Sequence, residues 1–587
     1  MQSSDANDLF GALTEILDNC HPANWDDIVS LIYQIAARQK APLIPANQDF
    51  LVSFARGTAF ISFSFGIDGV SVEASKYAHT LFDLFSPYGD PRIHFIGGQF
   101  HPQVSSVLRD EWHRHQIDGI DGWNKWGEGQ WFKALFREKM ESSSEASDLL
   151  AQEIFGQAVS IAKRLGKYIL DNQIALVVPV NVASNPGNMA LTLGLVLVTE
   201  ILGVHVLNSN HDFYWEAGKP LSERDPGEKP GVRDHFFRNM HNKAFFTLFK
   251  LLYPWNGDRW LQVNINVRQS RKLIKKFGFP EEKVFEISTC VAEPFLASYS
   301  NEDVIDSRLR MSRILSDGST IMHPVPIADH LSRIETWMKN QHPIILGAQP
   351  GLSVDPRSED LTIMLQPTRI IGRKRIEKNL ELIDALLQKS RLRDEFIHHP
   401  NRQLILHITG PVPREHQGDL EKVLYAYIKV IDALPEDLAR RVFLAFSAGH
   451  TTHASFSENG IQPLSIEALY RMANVVVFPS ETEGRGLPII EAAASGIPII
   501  CSHYHPRKVF REVIGVDLPK NMQIQYTLFP EGKYPRAFLS DVANLIVDPD
   551  RQRRRVIHNQ EVVRARYSQT SLKNTFERLL HHLVQLG

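Results

Sequence analysis

The sequence predicts an α/β protein made of two successive doubly wound domains. Short apolar, β-rich runs alternate with helical patterns in two series, the pattern of parallel sheets covered on both faces. At 587 residues the chain is longer than one core ordinarily organises. Between 292 and 361 the alternation gives way to proline- and turn-rich sequence, "PVPIADHLSRIETWMKNQHP" and "GAQPGLSVDPRSED", which reads as an inter-domain crossover. Ligands of such sheets bind outside the carboxyl ends of the strands, so a cleft between the two domains is expected.

Residues 1–55 carry two helical patterns, "LTEILDNC" and "WDDIVSLIYQIAARQK", closed by the prolines of "APLIP", and read as an N-terminal helical extension. The first domain spans 56–345. It opens with the strand "AFISFSF", the turn "GIDG" and the helix "VSVEASKYAHTLFDLF". The runs "QIALVVPVNV", "GVHVLNSNHDF", "WLQVNINV" and "KVFEIS" continue as strands. The second domain, 346–555, repeats the rhythm with "LTIMLQPTRIIG", "RQLILHITGP", "RVFLAFSAGH", "ANVVVFPS" and "IPIICS". Residues 556–587 end in the amphipathic helix "SQTSLKNTFERLLHHLVQL", with Ser568 or Thr570 as its cap. This helix is expected to pack back toward the first domain.

Composition narrows the function classes. With 64 Lys and Arg against 67 Asp and Glu the formal charge is −3, so no global signal points to nucleic acid or an anionic surface. Cys20, Cys290 and Cys501 are far apart and odd in number. They form neither a metal-ligand spacing nor a disulfide framework, which fits a reducing, cytoplasmic setting. The acidic start "MQSSDANDLFG" has no signal-peptide pattern. The longest apolar run, "MALTLGLVLV" from Met189, is about half the roughly 20 residues of a spanning helix and reads as a buried core helix.

The chemistry-bearing stretch is "PSETEGRGLPIIEAAASGIPII" from Pro479. It reads as the end of a strand, a turn with Gly484 and Gly486, and a helix with Pro488 in its first turn. Helix-start N–H groups at such a turn can face an anion, and Glu483 and Glu491 bracket it. A second element, "LQPTRIIGRKRIEKNLELI", puts Arg369 at a strand's carboxyl end and Lys374 in the following loop. Fixed cations there suit a diphosphate.

The run "EGRGLPIIE" resembles the E-x7-E signature of the retaining, nucleotide-sugar-dependent glycosyltransferases of GT-B fold. This large group contains sucrose-phosphate synthases and phosphatidylinositol mannosyltransferases. Arg369 and Lys374 resemble its R-x4-K element, although Arg375 stands where the family usually has glycine. The resemblance covers most of 360–515 well and 56–290 loosely. It implies a GT-B fold, two Rossmann-like doubly wound domains facing a cleft, and transfer of a hexose from a nucleotide-diphosphate sugar to an unidentified hydroxyl acceptor with retention. It further implies no metal and no cofactor beyond the donor substrate. Glu483 would contact the donor sugar and Glu491 the ribose, with the turn Gly484, Gly486 and Leu487 on phosphate or sugar oxygens. Arg369 and Lys374 would hold the diphosphate. The loop "FSAGHTTHASFSENG" would surround the base.

In the first domain the resemblance points to His211, in "HDFYW", as a cleft histidine, with Asp212 either fixing its tautomer or capping the turn. It points to Gly69, in the turn after "FSFG", as lining the donor side; an ordinary βα turn accounts for that glycine equally. "EWHRHQIDGIDGWNKWGEGQW" holds four tryptophans that either stack on acceptor sugars or pin down an insertion. "RQSRKLIKKF" and "RQRRR" read as solvated basic faces and leave peripheral membrane contact open. "DPD" at 548–550 reads as a turn rather than a metal site. Two other readings stay open: a nucleotide-sugar 2-epimerase of the same architecture, and a non-catalytic sugar-nucleotide scaffold. The sequence does not reach the oligomeric state. Nor does it reach the role of Arg485, which stands where relatives carry an aromatic residue.

Overall fold

The computed structural model describes residues 3–38, 49–287, 289–315, 324–325, 344–410, 417–447 and 464–586. The chain divides into unit 1, Met1–Thr289 with Leu572–Gly587, and unit 2, Cys290–Ser571.

Unit 1 is built on seven strands: β1 (Thr58–Phe65), β2 (Ile93–Phe100), β3 (His113–Gln116), β4 (Leu176–Pro179), β5 (His205–Asn210), β6 (Trp260–Asn264) and β7 (Val284–Glu286). They form one parallel sheet in the order β3-β2-β1-β4-β5-β6-β7. The order reverses between β1 and β4, as in a doubly wound sheet. The strand runs read from the sequence become β1 and β4 to β7. Strands β2 and β3 are additional, and each hides for a physical reason. Gly97 and Gly98 interrupt β2, and a Cβ at Gly98 would lie 2.4 Å from the Asp121 amide. The edge strand β3, "HRHQ", carries no apolar residue at all.

The N-terminal helices Ser3–Asp18 and Trp25–Ala36 are part of unit 1's core rather than a separate cap. Leu13, Leu17, Trp25, Ile28, Ile32 and Ile35 are buried with the helices Glu145–Asp171 and Met189–Leu202. Leu13 fills the notch left by Gly166, where a Cβ would clash with its Cδ2. Trp25 donates to Ser147 Oγ at 3.0 Å. The helix Met189–Leu202 is buried almost all round, as its apolar sequence predicts. Among the described residues no helix is long and apolar enough to cross a membrane. The C-terminal helix Gln569–Leu586, opened by Ser568 Oγ accepting from Ser571 N–H, brings Phe576 against Tyr77 and His581 against Phe50 within unit 1.

Unit 2 carries β8 (Pro324–Val325), β9 (Ile344–Leu346), β10 (Leu361–Gln366), β11 (Gln403–Ile408), β12 (Val442–Phe446), β13 (Val475–Phe478), β14 (Ile499–Cys501) and β15 (Thr527–Leu528). Their order is β15-β14-β13-β10-β11-β12-β9-β8, parallel except for β9 against β12. Here the order reverses between β10 and β13. The chain joins this unit earlier than its proline-rich stretch suggests. Met311, Ile314 and Leu315 of the amphipathic helix Asn301–Leu315 pack with Ile345, Ile363, Ile405 and Phe443 of the sheet. The division therefore falls at Thr289/Cys290, not at 345. At the other end, Val562, Val563 and Tyr567 of the helix Arg553–Tyr567 remain in unit 2's core.

Candidate functional site at the switch point of unit 2

The ends of β10 and β13 are neighbours in the sheet, with Leu365 paired to Val476. The chain leaves them in opposite senses, which opens the crevice where doubly wound sheets take ligands. Beyond β10 the turn is tied down by amides. Gln366 donates to Thr368 Oγ1 at 2.7 Å and accepts from Asn379 Nδ2 at 2.7 Å. Gly410, at the end of β11, lets that strand's exit lie against Thr368 and Arg369, since a Cβ would come within 2.2 Å of the Thr368 carbonyl carbon. Gly372 N–H donates to Asp419 at 2.7 Å and starts the 3-10 turn Gly372–Lys374. Arg375 closes that turn in the left-handed region, φ 52.

This turn delivers Lys374 to Glu483. Their charged atoms are 2.5 Å apart, and the side chains are only 9% and 8% exposed. Arg373 joins from the outside. Its Nη1 donates to the Thr482 carbonyl at 2.6 Å and lies 3.9 Å from Glu483 Oε2. Glu483 is held in turn by backbone pairing with the segment after β14: its N–H donates to the His505 carbonyl at 2.9 Å, and His505 N–H donates to the Glu481 carbonyl at 2.7 Å. Burial pushes the Lys374 ammonium below the usual lysine range, reinforced by Arg373 and Arg369 and opposed by Glu483. Two strand ends far apart in sequence thus build a buried, charge-matched pair flanked by further cations.

Past Glu483 the turn rises into the helix Leu487–Ala494, with Gly486 as its left-handed cap (φ 78, ψ 38) and a proline in the first turn. Gly486 has no alternative residue: a Cβ would sit 2.3 Å from the Tyr504 hydroxyl. That hydroxyl donates to the Arg485 carbonyl at 3.1 Å, and burial raises its pKa far above the usual tyrosine value. Gly484 is the opposite case, with nothing within 4 Å of an added Cβ. Pro488 has no N–H and the Ile489 amide donates to the Gly486 carbonyl at 3.0 Å, so the Leu487 amide is the early one left at the helix's positive end. Glu491, one turn further in, accepts from Tyr470 Oη at 2.7 Å. Burial and Glu491 both raise the Tyr470 pKa, so the phenol stays a donor.

Of the sequence-predicted residues, Lys374 and Glu483 are in direct contact. Gly484, Gly486, Leu487 and Glu491 follow on the same turn and helix. Arg369 is exposed at the turn after β10 and acts on Lys374 through its charge. Lys378 points elsewhere and pairs with Glu381 at 2.7 Å. Burial raises the Tyr567 pKa, and the charges of Arg566 and of the half-buried Arg485 oppose that rise in part. The loop expected around the base lies outside the described residues from 448 to 463. Tyr470 and Tyr504 are not legible as site residues in the sequence, because each reads as an ordinary core aromatic.

His211 and Gly69 belong to unit 1. His211 follows β5, with Nε2 3.3 Å from Ser209 Oγ and its carbonyl accepting from Gln269 at 3.0 Å. Asp212 pairs with Arg233 at 3.2 Å and with Asn181, so its described contacts are not with the imidazole. Gly69 is the first residue of the helix Gly69–Phe85, whose Val70 and Ser71 amides are capped by Asp68. Its φ is not positive and a Cβ there would meet nothing, so the turn itself does not require glycine.

Residues 354–517 match the family model described as "Glycosyl transferases group 1". The match lies wholly in unit 2 and includes Arg369, Lys374, Tyr470, Glu483, Gly486, Glu491 and Tyr504. No curated protein sequence matches the chain significantly. Similar solved structures include a glycosyltransferase from Rickettsia africae, at 11% identity and TM-score 0.48, covering 90% of this chain and 98% of that one. Anabaena HepE, solved with UDP and glucose, has 13% identity and TM-score 0.47, covering 89% and 99%. Sucrose-phosphate synthase from Thermosynechococcus elongatus has 14% identity and TM-score 0.47, covering 90% and 100%. At these values the activity has to be argued from the site.

Proposed function

We propose that the protein is a retaining glycosyltransferase of GT-B type that moves a hexose from a nucleotide-diphosphate sugar to an acceptor hydroxyl. The observation that carries this reading is the buried Lys374–Glu483 pair, 2.5 Å apart, at the switch point of unit 2. A buried ion pair contributes little net stability. Placed at two strand ends beside a helix start, it supplies a cation and an anion already desolvated and aimed at one place. A leaving diphosphate needs the first, and a sugar hydroxyl can donate to the second.

In the reaction, Lys374, Arg369 and the Leu487 amide stabilise charge growing on the departing diphosphate. Glu483 orients the transferred sugar, and Glu491, steadied by Tyr470, accepts from the ribose hydroxyls. The acceptor oxygen then bonds to the anomeric carbon on the face the diphosphate leaves, and the acceptor's proton passes to the departing phosphate. No metal takes part, and the protein works in the cytoplasm. Unit 1, with the helices of 1–55 and the last helix in it, is the acceptor-side unit, and unit 2 is the donor-side unit.

The test is incubation with UDP-, GDP- and ADP-sugars, with and without candidate acceptors. Acceptor-dependent release of nucleoside diphosphate and a product of unchanged anomeric configuration are expected. A sugar altered without nucleotide release would mean epimerisation, and binding without turnover under any acceptor would mean a scaffold; either overturns the proposal.

A further inference from the structure

The switch point of unit 1, between β1 and β4, carries a feature with no counterpart among the described residues of unit 2. Of the four tryptophans in the 112–131 segment, Trp112 and Trp126 are buried. Trp112 stacks on Phe95, and Trp131 rests on Trp126 while donating to Glu153. These pin the segment down. Trp123 is 39% exposed. It sits at φ 52, a left-handed conformation that is a genuine outlier for so bulky a residue. Left-handed backbone at such a residue is strained and persists only where the surroundings hold it.

Its surroundings hold that indole in place. Trp123 N–H donates to the Gly187 carbonyl at 2.8 Å, in the loop that follows β4. Its ring meets Phe63, near the end of β1, edge-on at 5.0 Å. Gly122 and Gly187 flank the same Phe63 ring, and a Cβ at either would come within 2.9 Å of it. The platform therefore bridges the carboxyl ends of β1 and β4, where the sheet order reverses and ligands are taken. Polar groups lie close in the chain and in space: Lys125, two residues on, donates to Gln99 at 2.6 Å.

We infer that Trp123 is the stacking platform for a hexose ring of the acceptor, with Gln99 and Lys125 facing its hydroxyls. The inference rests on the transferase reading and names its acceptor class as a carbohydrate. One flat aromatic face with a rim of neutral and cationic donors suits the C–H face of a pyranose, whose edge carries hydroxyls.

The test is saturation-transfer NMR with methyl α-D-glucopyranoside, methyl α-D-mannopyranoside, methyl β-D-galactopyranoside, maltose and uridine. It is run on the wild type, Trp123→Ala and Trp123→Phe, each checked for an unchanged melting profile. Transfer to the ring C–H protons of at least one glycoside is expected. Its affinity should fall about tenfold in Trp123→Ala and be largely kept in Trp123→Phe. Glycoside binding unaffected by Trp123→Ala, or none to the wild type, overturns the inference. So does binding of uridine alone, which would assign the platform to a base. UDP, GDP and ADP are added to parallel samples: no binding of any of them to the wild type would sink the transferase reading, whereas such binding beside a failed glycoside result would sink only this one.

Discussion

Lys374 and Glu483 are 109 positions apart in the chain and 2.5 Å apart in space. Each is the other's desolvated counter-charge, so an alanine at either strands a buried ion and destabilises unit 2 as well as altering its chemistry. Glu483→Gln keeps the shape and removes only the charge, and is the better probe. The residue after Lys374 makes a separate point. The family's usual glycine is Arg375 here, and the structure puts it at φ 52 all the same. Left-handed backbone costs a side-chain-bearing residue about 1–2 kcal/mol, while glycine gives back about 0.5–1 kcal/mol through a freer unfolded chain. Arg375→Gly is expected to stabilise unit 2 by about 0.5–1 kcal/mol, a rise of about 2 °C in Tm. A fall in Tm would mean that the arginine makes a compensating contact. The paired charges were legible as separate motifs in sequence; their contact was not, because nothing local to either motif specifies it.

At the level of elements, the strand–turn–helix from Val475 to Ala494 is where sequence and structure agree most closely. Its glycines, its early proline and its short buried helix all follow from local rules. The two glycines nevertheless differ in kind, which the sequence could not say. Gly486→Ala meets both a positive φ and the Tyr504 hydroxyl, and is expected to cost about 2 kcal/mol of stability. Gly484→Ala meets nothing. It should leave stability within about 0.5 kcal/mol while weakening nucleotide-sugar binding, since the open space there is room for a ligand. Thermal melts and donor titrations of the two variants check this; equal stability losses would contradict it. In unit 1, β2 and β3 escaped notice because paired glycines and an all-polar edge carry no apolar alternation. The Trp-rich segment read as one feature and proves to be three anchoring residues and one displayed one.

For the whole molecule, the sequence supports two α/β units, and the structure has two. Proline content marked the wrong boundary because an amphipathic helix ahead of it already packs on the second sheet. Both units also bury histidines that cannot take a proton. Burial holds His94 down to about 3, and His205 and His407 to about 4; among the described residues neither ring nitrogen of His407 has a hydrogen-bond partner. With folded values below the unfolded value of about 6.5, the unfolded chain binds more protons between pH 6.5 and 4. Stability therefore falls as pH falls through that window, on the order of 1 kcal/mol per pH unit for each histidine. Melts at pH 7 and pH 5 should differ accordingly; a flat profile would show that these side chains are not buried as described. The central claim, that unit 2 activates a nucleotide sugar through the Lys374–Glu483 pair, is tested most directly by nucleoside diphosphate release. Wild type and Glu483→Gln are compared on the best donor of the UDP-, GDP- and ADP-sugar panel, with their melting curves alongside. Release by the wild type and a loss of about 100-fold or more in the folded variant are expected, whereas release at the wild-type rate from Glu483→Gln would contradict the claim.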